Sequence, residues 1–64
     1  MTPQQIWEGL TDAQRRAVLA FFGPGKAMAE HLVEAVELRE AGLSVGWSTL
    51  TALGREVAEY GRKL

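Results

Sequence analysis

Lys26-Ala27-Met28-Ala29-Glu30-His31-Leu32-Val33-Glu34-Ala35-Val36-Glu37-Leu38-Arg39-Glu40-Ala41 is the stretch on which the fold turns. It contains no Gly, Pro, Ser, Thr, Asn or Asp, and Ala, Glu and Leu dominate, so propensity predicts one uninterrupted helix over 26–41. Gly42 then stands where a helix-terminating glycine belongs. At 100° per residue, Met28, Ala29, Leu32, Val33, Val36 and Leu43 fall on one arc and Glu30, Glu34 and Glu37 on the opposite one. The expected result is a core face backed by an acidic stripe that Glu40 extends.

On the N-terminal side, Gly23-Pro24-Gly25 forms a chain reversal, since Gly permits left-handed backbone and Pro withholds the next helical hydrogen bond. The helix it ends is predicted over Asp12 to Phe22, with Thr11 and Gln14 as a capping box. Gln14, Ala17, Val18, Phe21 and Phe22 gather on its inner side, with Arg15, Arg16 and Leu19 on the other. Thr2, Pro3 and Gln5 repeat the capping pattern for a short entry helix that carries Ile6 and Trp7 and stops at Gly9. On the C-terminal side, Leu43, Val45 and Trp47 alternate with Ser44, Gly46 and Ser48, which predicts an extended segment or minimal hairpin over 43–50 turning at Gly46. Thr51 caps a last helix, Ala52 to Lys63, whose Leu53, Val57, Tyr60 and Leu64 follow the spacing of a packed face. Arg55–Glu59 and Glu59–Lys63 pairs are expected outside it. The fold class is therefore mainly α: one compact domain of three to four helices with a minimal β-hairpin.

Sixty-four residues make one small domain, and chains of this size generally need a staple or a partner. Without Cys and with one His, disulfides and thiolate zinc sites are excluded, which leaves oligomerisation or partner binding. The first residues carry no basic, long apolar leader and no apolar run approaches a membrane span, so a cytoplasmic protein without membrane contact is expected. Net charge is −1, with the acid concentrated centrally: residues 27–43 hold Glu30, Glu34, Glu37 and Glu40 against Arg39, while each flank is positive by one.

No constellation supplies an active site. His31 beside Glu30 and Glu34 offers one imidazole and surface carboxylates where a metal centre wants three or four ligands. Ser44, Ser48, Thr49 and Thr51 lack a base oriented by a third group. Gly23-Pro24-Gly25-Lys26 misses the phosphate-loop spacing, and Ala27 follows the lysine. Neither an enzyme nor a cofactor is expected. Trp7 and Trp47 read first as core, and an exposed one would mark a binding surface, a part assigned here to Trp47.

Leu10-Thr11-Asp12-Ala13-Gln14-Arg15-Arg16-Ala17-Val18-Leu19, and Ala41-Gly42-Leu43 followed by Leu50-Thr51-Ala52-Leu53-Gly54-Arg55-Glu56-Val57, resemble the frame of winged-helix proteins of the MarR-like and small phage type. There, the first motif opens the first core helix, the second ends the recognition helix, and the third follows the wing. The resemblance covers about half the chain and implies a winged-helix-like fold in a phage- or mobile-element protein. An unbroken 26–41 helix removes the turn of the helix-turn-helix, and a break within it would restore that motif. Glutamates in the recognition position repel phosphate, and Ser44-Val45-Gly46-Trp47-Ser48 has no basic residue for a minor groove.

Two functions follow. The first is a small interaction protein that docks Glu30, Glu34, Glu37, Glu40 and Trp47 on a basic partner, such as a nucleic-acid-binding host protein, as inhibitor or adaptor. The second is a DNA-binding regulator that uses Arg15, Arg16, Arg55, Arg62 and Lys63 and dimerises through Leu53, Val57, Tyr60 and Leu64.

Overall fold

The computed structural model describes residues 1–23, 31–46 and 49–64. Among them the order is α1 (Pro3–Gly9), α2 (Asp12–Phe22), α3 (Leu32–Glu40), β1 (Ser44–Val45), β2 (Thr49–Leu50) and α4 (Ala52–Arg62). The fold is mainly helical with a two-stranded antiparallel hairpin, as expected, and the strands pair Ser44 with Leu50 and Val45 with Thr49. Helix α4 lies against α1 and α2, while α3 lies against α2 and β1.

The local signals account for the element ends. Thr2 and Thr11 each accept a hydrogen bond from the backbone N–H three residues on, and Gln5 and Gln14 return the bond to the cap N–H, so both capping boxes are complete. Helix α3 ends in a full Schellman motif: the Leu43 N–H donates to the Leu38 carbonyl at 2.9 Å and the Gly42 N–H to the Arg39 carbonyl at 3.1 Å. That geometry needs the left-handed backbone of Gly42, φ 80°, and it brings Leu38 and Leu43 together as two of the largest fully buried side chains.

The central helix differs from expectation. His31 has φ −129° and ψ 36°, which are not helical angles, so α3 begins at Leu32. Lys26 to Glu30 of the expected helix, with Pro24 and Gly25 of the expected reversal, lie outside the described residues. The buried face is also different: Ala35 and Leu38 are buried, whereas Leu32 is 49% and Val33 66% exposed. Register is set from the C-terminal end, where the Schellman motif commits Leu38 to the core. Leu32 and Val33 lie on the far side of the helix from that anchor, and Val36 is half-buried.

The hairpin and α4 are shifted too. Ser44 is buried and Val45 exposed, the reverse of the expected alternation, because Leu43 completes the α3 terminus rather than starting the strand. On α4 the inward residues are Gly54, Val57, Ala58 and partly Gly61, about one residue step, or roughly 100°, from the predicted stripe. Small residues win this face because two neighbours press on it. A Cβ at Gly54 would overlap the Leu43 carbonyl oxygen, and one at Gly61 would meet the Trp7 ring at 2.5 Å. Trp7 is accordingly core, in a cluster with Ala17, Val18, Phe21, Ala35, Leu38, Leu43, Leu50, Val57 and Ala58. The expected Arg55–Glu59 and Glu59–Lys63 pairs do not form; Arg15 pairs with Asp12 at 3.8 Å, and His31 Nδ1 lies 3.7 Å from the Glu34 carboxylate.

Two substitutions probe this packing, with a third as control. Gly54→Ala should destabilise the fold by roughly 1–3 kcal/mol, as overpacking against backbone does, whereas Gly9→Ala, with open space around it, should not destabilise it beyond a few tenths. Ser44→Ala removes a buried hydroxyl that has no hydrogen-bond partner among the described residues and should stabilise by about 1 kcal/mol. Urea unfolding of the three variants measures all of these differences.

Candidate functional site

The residues expected to act are distributed unequally over the surface. Glu34, Glu37 and Glu40 all lie on α3; Glu30 and Trp47 lie outside the described residues. Glu34 is turned toward the fold, its side chain 20% exposed and its carboxylate 3.7 Å from His31 Nδ1. The His31 ring in turn sits edge-on to Phe21, which ties the start of α3 to the end of α2. Glu37 is exposed and accepts a hydrogen bond from Gln14 Nε2 at 3.1 Å, and Glu40 is exposed one turn further on. Glu37 and Glu40 thus lie away from the core, as expected, whereas Glu34 borders it, and the outward surface also carries Leu32, Val33 and Arg39.

The assumed phase of the helix hides that mixture from sequence reading. With Leu32 and Val33 assigned inward, Glu30, Glu34 and Glu37 fall together on the outward arc and no exposed aliphatic residue is expected beside them. The signal that corrects it is Gly42: anchoring the helix at its glycine and counting back puts Leu38 and Ala35 inside.

Of the five basic residues, Arg55 and Arg62 both lie near Phe22, while Arg15 and Lys63 lie in other surroundings. Arg15 Nε donates to the Trp7 carbonyl at 3.0 Å and its Nη2 to the Glu8 carbonyl at 3.2 Å, while the guanidinium lies 5.3 Å from the Trp7 ring centroid. It thus satisfies carbonyls at the end of α1 and stacks on the Trp7 ring, with its side chain left 32% exposed. Arg62 covers Phe22 at 5.4 Å from the ring centroid, and Arg55 lines a cavity of about 450 Å³ with Phe21, Phe22, Thr49, Leu50 and Glu59. Lys63 belongs to another cleft, with Thr2, Pro3, Gln4, Glu56, Glu59 and Tyr60. Glu59 lines both, placing a carboxylate between the two basic regions. Arg16 is exposed on α2.

The expected dimer face is also taken apart. Val57 is fully buried within the chain and so is not available to a second copy, Tyr60 is half-buried against the core, and Leu53 and Leu64 are exposed. Among the described residues no three His, Asp or Glu side chains are grouped to hold a metal ion, and no helix is long and apolar enough to cross a membrane.

Comparison with protein-family models, curated proteins and solved structures finds no match. Arg15→Ala should destabilise the fold by about 1–3 kcal/mol through the loss of charge-assisted bonds to two α1 carbonyls, and chemical denaturation of the variant measures it.

Proposed function

We propose that this chain is a small interaction module that docks the outward face of α3 on a basic, partly apolar surface of another protein, acting there as inhibitor or adaptor. The observation that supports this is the exposure of Leu32 and Val33, 49% and 66%, on the helix that also presents Glu37 and Glu40. Exposed aliphatic side chains supply contact area and the carboxylates supply sign: attraction to Lys- and Arg-rich surfaces and repulsion from acidic ones. Surfaces built to hold nucleic acid carry that charge, so a nucleic-acid-binding protein is the partner class that fits.

The start of α3 at Leu32 favours a competing reading. It leaves α2 and α3 as separate helices in the order a helix-turn-helix uses, as in a DNA-binding regulator. Charge weighs against it. A recognition helix meets phosphate on both sides of the major groove, and Glu37 and Glu40 are repelled there, while Leu32 and Val33 can offer bases little beyond a thymine methyl.

The test uses proteins captured by the immobilised chain, measured again with Leu32→Ser/Val33→Ser and with Glu40→Lys. Both variants should bind the same captured protein at least ~10-fold more weakly, since loss of either area or charge removes about 1.4 kcal/mol or more. Unchanged affinity in both overturns the proposal. In parallel, random duplex DNA near ~50 mM salt should show no binding, and binding that falls steeply with added salt would establish the regulator instead.

A further inference from the structure

Gln14 links the first turn of α2 to the outward face of α3. Its Oε1 accepts from the Thr11 N–H at 2.9 Å, its own backbone N–H donates to Thr11 Oγ1 at 3.1 Å, and its Nε2 donates to Glu37 Oε1 at 3.1 Å. The orientation of the amide is settled by chemistry. The Thr11 N–H can only donate and the Glu37 carboxylate can only accept, so the oxygen must face the first and the nitrogen the second. A capping box holds its glutamine oxygen in one place, and a planar amide with a fixed oxygen has a fixed direction for its NH₂. Helix capping at Thr11 therefore determines where Gln14 offers a donor to Glu37 on α3, twenty-three residues beyond Gln14.

We infer that Gln14 is a positioning residue for the docking face: it holds the Glu37 carboxylate on the α2 side of α3, so that the surface presented to a basic partner spans both helices instead of α3 alone. This rests on the docking function proposed above. Glu40, one turn on, receives no such anchoring bond from the described residues, so the two exposed carboxylates differ in kind. One is set in place before a partner arrives, which lowers the ordering cost on binding; the other must be ordered by the partner.

The exchange Gln14→Glu with Glu37→Gln tests the link and its role separately. Net charge is unchanged, the carboxylate now at position 14 still accepts from the Thr11 N–H, and the amide now at position 37 donates back across the same gap. In a double-mutant cycle read by urea unfolding, the folding constant of the exchanged variant should exceed the product of the two single effects by about fivefold, a coupling near ~1 kcal/mol. A product equal to the singles overturns the link. The second readout is affinity for an amphipathic helical peptide of Leu and Lys. The exchanged variant keeps the bridge but turns its negative charge toward Thr11, so it should bind about threefold or more weakly than the wild type, and equal binding overturns the positioning role. If the wild type fails to bind this peptide and the captured protein is indifferent to Leu32→Ser/Val33→Ser, the docking function fails and the role of Gln14 in it falls too, while the unfolding cycle still decides whether the bridge exists.

Discussion

The structure depends most on the contact of Thr51 and Gly54 with the end of α3. The Thr51 hydroxyl donates to the Gly42 carbonyl at 2.9 Å and accepts from the Gly54 N–H at 3.1 Å, while the Thr51 N–H donates to the Leu43 carbonyl at 3.0 Å. One residue thus caps α4, closes the base of the hairpin and satisfies a carbonyl just beyond the Schellman turn. Such an approach is possible because Gly54 has no Cβ to strike the Leu43 carbonyl. Three elements meet within a few residues at that point, and the outward face of α3 is oriented by it. In a chain too small for a large core, hydrogen bonds that fix several elements at once replace much of what additional burial would do.

A second junction holds the N-terminal helix. Seven residues cannot sustain a helix alone, since nucleation fixes several dihedral angles for each first bond. Here α1 is held by Trp7, whose ring fills the notch at Gly61 on α4 and is covered on another side by Arg15 from α2. The guanidinium also bonds the α1 carbonyls of Trp7 and Glu8, so one side chain closes the helix end and shields its anchor. Two glycines on α4 thereby receive two different partners, backbone at Gly54 and an aromatic ring at Gly61. This explains why the helix turns its small residues inward and leaves Leu53 exposed.

Much of this is legible in the amino-acid order, and what is legible shares a physical character. Thr2 with Gln5, Thr11 with Gln14, Thr51 before α4 and Gly42 after α3 are local signals whose partners lie within four residues, so no knowledge of the fold is needed to read them. The phase of α3 and α4 is not legible in the same way, because apolar periodicity assumes that large aliphatic residues face the core. At Gly54 and Gly61 close approach of a neighbour outweighs side-chain area, and at Leu32 and Val33 the helix is too short and too firmly anchored at Leu38 to turn them inward. Arg15 misleads for a related reason: a long side chain on a nominally outer position reaches back along the surface to the carbonyls of another helix.

The candidate site follows from that same anchoring. Rotating α3 so that Leu32 and Val33 were buried would turn Leu38 outward beside Glu34 and break its contact with Leu43 at the Schellman turn. Fixing Leu38 and Ala35 inward instead places aliphatic and acidic side chains side by side. Such a surface separates two tasks: charge sets the rate and sign of encounter, and apolar area sets how long the complex lasts. Salt screens the first far more than the second. A DNA-reading helix would show the opposite response, with affinity carried mainly by released counterions. The sign of charge on α3 and the aliphatic residues beside it thus support the proposed docking together, because a glycine and a threonine at the far end of the helix determine which way it faces.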